Sequence, residues 1–506
     1  MAEPFLLQVA QLVLQNKTPL HELCILFPNK RAEIFFKQHL SEELNISALA
    51  PRLLTAEEFV TEVSGISALK GNALLIEAFK AYSSIKQNAS DTFEEFYKWA
   101  NTALYDFNEI DRHLVDAEAL FEDMVSAKTI ERWGANTEDE YTLINRYLTT
   151  WKSFKPLYTK LKARCLELRM GWQGLAFRKV AEQLDLLDGY LERQNYKQVV
   201  FVGFNAFNKA EERIAEHLLR EKKAQVFFDA DTYYLDDENQ EAGQFLRNRL
   251  AKWSHFSAVQ CLKTSLLNEN KSLKVYAAGG NIEQAKMVGS ILEQNQYEGK
   301  RTAVVLADEA LLLPVLSSIP TNHNHINVTM GMGMRLASPA MLVLSVLKVK
   351  SKLLSKSSLY YKDLERLLEF PPIGLAIASG NKKVVVDAIT QIKNENQTFL
   401  SIDQLEQAAS KFGLNLDFLH LLFSEADLVE VLRRTIEICK AYCNTVEISQ
   451  VDKEMYFHVT SATQALMLQL ESVNWPVEIN VVIDLYKTAL STEQISFYGE
   501  PLQGLQ

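Results

Sequence analysis

VVFVGFNAFNKAEE, residues 199–212, decides how this chain reads. Its apolar run, Gln198 to Val202, has the length and branching of a buried strand, and the segment opening at Lys209 has the spacing of an amphipathic helix. A strand, a turn and a helix in that order are the parts of an α/β layer. In a nucleotide-hydrolysing lobe such a strand ends in acids that hold a metal ion, whereas this one ends in Gly203-Phe204.

Outward from this point the same alternation repeats. A second strand, Ala224 to Phe228, leads into Asp229, Asp231, Tyr233 and Tyr234. Near the start, a helix over about Pro4 to Asn16 precedes a strand at Leu23 to Phe27, then Pro28-Asn29 and a helix through Leu40. Residues 1–67 and 196–265 therefore make a first α/β lobe. Residues 68–195 carry helical periodicity, for example Phe93, Phe96, Tyr97, Ala100 and Leu104, and form a helical insertion. Strands at Leu273 to Ala277 and Thr302 to Leu306, with helices from Ile282 and Glu309, open a second lobe over 266–340. A helical insertion over 341–476 interrupts it, and 477–506 resume it with a helix over Val481 to Leu490 and a strand over Gln494 to Tyr498. The lobe stops at GEPLQGLQ without a closing element, so the reading is of a truncated last lobe.

At 506 residues the chain is too long for one core and suits three or four units. Five scattered cysteines form no Cys-x-x-Cys pair, which argues against a disulfide framework or zinc ribbon and for a reducing compartment. The first residues lack a basic n-region and no apolar stretch reaches a membrane span, so the expected location is cytoplasmic, with no membrane partner.

The formal charge of −11 is unevenly spread. Asp91 to Tyr141 holds fourteen acids and four bases, while Arg146 to Met170 holds seven bases and the single acid Glu167. Trp151, Phe154 and Tyr158 are interleaved with Lys152, Lys155, Lys160, Lys162 and Arg164. Bases alternating with aromatics can track a phosphate backbone while stacking nucleobases, and an amphipathic helix with its aromatics turned to a core gives the same pattern. Leu342 to Lys362, with five lysines and no acid, carries the same two readings.

The motifs of phosphate and metal chemistry are missing. No G-x-x-x-x-G-K-[ST] string occurs; the nearest basic candidate, Lys30-Arg31 at a helix start, lacks the glycines that wrap a triphosphate. Gly279-Gly280-Asn281 reads as a turn, His323 and His325 lack further zinc ligands, and Glu298-Gly299-Lys300 lacks the upstream Asp strand of a nuclease site. Asp229 and Asp231 form the best local acid cluster, open to a cation or to simple capping.

Taken in order, ILFPNKRAEIFFKQHL (25–40), FEEFYKWANTALYDFNEIDRHLVDA (93–117), VVFVGFNAFNKAEERI (199–214), FFDADTYYL (227–235), TAVVLADEALLLPVLSSIP (302–320), INVTMGMGMRLASPA (326–340) and ISFYGEPLQGLQ (495–506) resemble the AddB-like subunits of bacterial helicase-nucleases, annotated among PD-(D/E)XK nuclease family proteins. The resemblance implies an α/β fold of two RecA-like lobes of superfamily 1 type, each with a large helical insertion. It implies a degenerate motor, with Gly203 and Phe204 at the former metal site and no catalytic residue or metal in this portion. It further implies DNA and an AddA-like helicase-nuclease subunit as partners in double-strand break repair. A nuclease domain using magnesium is expected downstream. The candidate DNA-binding residues are Lys30, Arg31, Trp151, Lys152, Lys155, Lys160, Lys162 and Arg164. Two other readings stand beside this one: an active ATP-dependent helicase with diverged motifs, and an interaction scaffold whose acidic region binds a basic partner.

Overall fold

The structure is a computed structural model and describes residues 3–44, 47–69, 71–85, 91–125, 138–264, 266, 272–295, 302–320, 326–328, 332–378, 390, 398–412, 415–424, 427–492 and 494–495. His323, His325, Glu298-Gly299-Lys300 and the end of the strand expected at Gln494 to Tyr498 lie outside the described residues. So do the last eight residues and the side chains of Arg146 and Tyr147. The chain divides into two compact units: Met1–Lys70, Glu77–Asp91 and Trp99–Ala277 form the first; Gly71–Ile76, Thr92–Lys98 and Ala278–Gln506 form the second.

The first unit is built on a wholly parallel sheet of five strands: β1 (Leu23–Phe27), β2 (Arg52–Thr55), β3 (Gln198–Val202), β4 (Ala224–Asp231) and β5 (Val259–Thr264), in the spatial order β2-β1-β3-β4-β5. In register, Cys24 faces Arg52 on one side and Val199 on the other, and Val226 faces Val259. Every residue of β1 is buried, as a parallel strand covered on both faces requires. On one face, helix α1 (Phe5–Leu14) contributes Val9, Ala10 and Val13 and helix α2 (Lys30–Glu43) contributes Phe36 and Leu40 to a core with Leu23, Ile25, Phe27, Val200 and Val202. Helix α3 (Ala56–Ser64) starts on a capping box of Thr55 and Glu58 and ends at Gly65, which adopts φ +66°.

Between β2 and β3 the chain runs through helices α4 (Asn72–Ser83), α5 (Phe93–Arg112), α6 (Ala117–Val125), α7 (Glu138–Leu168), α8 (Gln173–Glu182) and α9 (Leu184–Gln194). Ser67–Ala68 pairs in parallel with Met170–Gly171, and the bonds Ser67 N–H to Arg169 O (3.0 Å) and Leu69 N–H to Gly171 O (2.8 Å) flank the pair. Helix α7 carries Pro156 inside it, leaving the Lys152 carbonyl without its usual helical donor. Helices α10 (Lys209–Arg220) and α11 (Gln244–Lys252) link β3 to β4 and β4 to β5. Asn208 and Glu211 form a reciprocal capping box that starts α10 immediately beyond the quoted strand.

The second unit is helical. Its buried residues include Leu342, Val346, Leu432, Val459, Val482 and Tyr486, drawn from helices Ser338–Ser355, Leu428–Thr445, Gln450–Glu471 and Ile479–Thr492. Lys350 is fully buried there, and its ammonium donates to the Leu422 (3.1 Å) and Ser424 (2.5 Å) carbonyls at the end of helix Asp417–Phe423. Burial pulls its pKa down.

Two strand expectations, one in each unit, are not met among the described residues. Residues 272–278 and 302–306 are in no strand among the described residues, and Leu273, Val275 and Val305 are each nearly nine-tenths exposed. A strand exists only where a neighbour takes up its N–H and C=O groups, and apolar alternation alone supplies none. The strand over Gln494 to Tyr498 reduces, among the described residues, to Gln494–Ile495, antiparallel to Met332–Gly333. The α/β description thus rests on the sheet of the first unit.

Candidate functional site

The order β2-β1-β3-β4-β5 is that of a doubly wound sheet whose direction of winding reverses between β1 and β3, and such sheets bind ligands outside the carboxyl ends of the strands at that reversal. Lys30-Arg31 follows β1 and Gly203-Phe204 follows β3, so parallel pairing brings these two sequence-chosen pairs to one edge.

The edge is not a phosphate cradle. Asn29 is spent as the N-cap of α2, accepting from Ala32 N–H at 2.9 Å. Lys30 lies 2.9 Å from Glu33 and 2.6 Å from Glu58. Loss of solvent alone would lower its pKa, but the hydrogen bonds to those two carboxylates outweigh this and raise it. Arg31 sits over the Phe35 ring, 5.7 Å from its centre. Gly203 takes φ +72°, a left-handed turn that glycine adopts without strain, and a Cβ placed there would meet the Phe5 ring of α1 at 3.4 Å. Phe204 is buried, stacked on Phe207 at 5.2 Å; Phe207 in turn lies edge-on to Trp253 at 5.4 Å, under the Arg249 guanidinium. The residue that follows the β3 turn is thereby the first ring of an aromatic core.

Further along the same edge, Asp231 is buried and accepts from Tyr233 N–H (2.9 Å) and Leu266 N–H (2.6 Å), which accounts for it as a turn cap. Burial raises the Asp229 carboxyl. Tyr233 and Tyr234 stand partly exposed, edge to face at 5.0 Å. The loop behind them is pinned by Arg247, whose guanidinium donates to the carbonyls of Tyr234 (2.5 Å), Asp237 (3.0 Å), Glu238 (3.1 Å) and Gln240 (2.8 Å). Nothing in the spacing of the sequence singles out Arg247. Among the described residues no group of three or more His, Cys, Asp or Glu is placed to hold a metal ion.

The remaining chosen residues lie on α7 in the insertion. Lys155 is 2.7 Å from Glu122 and 3.5 Å from Glu118 of α6; Lys160 donates to the Ser84 carbonyl at 2.9 Å; Arg164 lies 3.3 Å from Glu77. Lys162 stands over Tyr158 at 5.7 Å, and Lys152 is exposed. Trp151 is half-buried against Phe154 (5.0 Å), Phe154 packs on Trp99 (5.3 Å), and Tyr158 packs on Phe107 (5.3 Å). Here the aromatics face inward, acids from neighbouring helices meet Lys155 and Arg164, Lys160 is spent on a backbone carbonyl and Lys162 on a ring, and Lys152 stays exposed.

Beneath that helix is a buried network that spacing could have flagged. Asp111 continues the apolar stripe Phe93, Phe96, Ala100, Phe107 of α5, an unusual place for a carboxylate. It accepts from the Tyr158 hydroxyl (2.5 Å) and the Trp172 indole (2.7 Å) and pairs with Arg178 at 2.6 Å. Arg178 also donates to the Ile110 (2.9 Å) and Val115 (2.6 Å) carbonyls. Burial dominates and raises the Asp111 carboxyl against the pull of these donors.

No protein-family model matches the chain, and neither does any curated protein sequence. No described helix is long and apolar enough to cross a membrane.

Proposed function

We propose that this chain is the helicase-like, ATPase-inactive part of an AddB-like subunit: a two-lobe, RecA-like body that holds DNA and docks on an AddA-like motor during cytoplasmic double-strand break repair, with a magnesium-dependent nuclease domain expected beyond it. The observation that carries the inactive reading is the filled edge between β1 and β3, where Lys30 is tied to two carboxylates and Gly203-Phe204 turns into an aromatic core. DNA holding is supported by the family-like strings and by the exposed cations and tyrosines that share that edge, a combination suited to a single strand.

Two measurements test this. Calorimetric titration with ATP and magnesium is expected to be flat; turnover that disappears in Lys30→Ala would instead identify an active, diverged motor. A forked or single-stranded oligonucleotide is expected to bind with affinity falling steeply with salt. Charge reversal at Arg31 is expected to weaken it several-fold, since a lost phosphate contact removes part of the counterion-release drive, whereas Lys30, already met by Glu33 and Glu58, should matter less. Parallel reversal of Lys152, Lys155 and Lys160 reports whether α7 shares the contact. Salt-independent or absent binding would leave the scaffold reading.

A further inference from the structure

Between α5, α6 and α7 lies a trough of about 380 Å³. Its floor is apolar and largely aromatic, formed by Phe107, Phe121, Met124, Trp151 and Phe154. Its rim is acidic: Asp106 and Glu109 line it from one face of α5, with His113 one turn further on, 3.6 Å from Glu109. Asp106 is exposed and, among the described residues, makes no ion pair.

Volume and lining suit one or two large apolar side chains, and a methionine in the floor lets it adapt to their shape. The rim repels a phosphate backbone and attracts a cation. Helix α7 brings bases to the opposite wall, but Lys155 is spent on Glu118 and Glu122, so the attraction is local to the α5 side of the rim at Asp106 and Glu109. We propose that the trough docks a basic amphipathic helix of a protein partner, seating a bulky apolar anchor on Trp151 and Phe154 with Lys or Arg one turn away against Asp106 and Glu109. The site shares helix α7 and Trp151 with the candidate DNA-binding set but takes a ligand of opposite charge at Asp106 and Glu109, so competition by an oligonucleotide separates the two readings.

The probe is a fluorescein-labelled peptide of about 16 residues, long enough to be helical, with Leu and Trp on one face and Lys and Arg on the other. Its binding to the whole chain is followed by anisotropy beside a scrambled control of the same composition. Saturable binding is expected, weakened at least about tenfold by Asp106→Lys with Glu109→Lys, both surface changes, and abolished by Ala103→Leu, which fills the trough. If Ala103→Leu fails to fold by circular dichroism, the charge-reversal pair decides. No binding, equal binding of the scrambled peptide, no effect of the charge reversal, or displacement by an oligothymidylate would each overturn the proposal.

Discussion

Asp111→Ala is expected to cost the first unit about 3–5 kcal/mol in urea denaturation, because it strands a charge. Arg178 is about nine-tenths buried, and its Nε faces no carboxylate other than Asp111. Its second acid, Glu182, meets the other end of the guanidinium at 2.9 Å and is itself partly exposed. The Tyr158 hydroxyl and the Trp172 indole lose their acceptor in the same step, and a buried donor left unmet costs its full desolvation. Asp111→Asn retains an oxygen for one of these donors and should lose less. A change below about 1 kcal/mol for the alanine variant would mean that water enters the site and that the network is not a structural clamp.

Glu212→Ala should be the second most damaging change, at about 2–3 kcal/mol, below the full cost for a buried pair because Lys252 stays half in solvent. Glu212 lies 2.6 Å from Arg249 and also pairs with Lys252, joining α10 to α11 across the face of the sheet that holds Trp253. Burial by itself would raise its pKa, but Arg249, Lys252 and Lys209 reverse that and hold it at about 2, against an ordinary value of 4.5. The folded value lies below the unfolded one, so the stabilisation is fully present above pH 4.5 and is lost as pH falls towards 2. Acid titration of wild type against Glu212→Gln checks this. The variant should show a flatter loss across that window, and identical curves would place the proton elsewhere.

What the sequence made legible follows from where each segment's partners lie. β1 and β3 are continuous apolar runs because both faces are covered, and α10 announces itself through Asn208 and Glu211 three residues apart. β2 and β5 escaped notice: Arg-Leu-Leu-Thr and Val-Gln-Cys-Leu-Lys-Thr are edge strands, short or polar, with one side open. Residues 273–277 and 302–306 failed in the opposite sense, since alternation was present and a pairing strand was not. At the candidate site, that no acid follows β3 could be read directly from Gly203-Phe204. That Lys30 would be held by Glu58 could not, because the contact depends on β2 pairing beside β1. The bases of α7 are a similar case: Glu77 reaches Arg164 across 87 residues of sequence, a distance over which charge counting has no reach.

The short parallel pair of Ser67–Ala68 with Met170–Gly171 brings the two ends of the helical stretch between them side by side. The stretch starts and ends at adjacent points, so changes in α6 and α7, which lie wholly in the first unit, need not shift the register of β2 against β1 or of β1 against β3. The sheet can therefore act as a fixed frame on which the exposed surfaces of α6 and α7 are free to change in sequence.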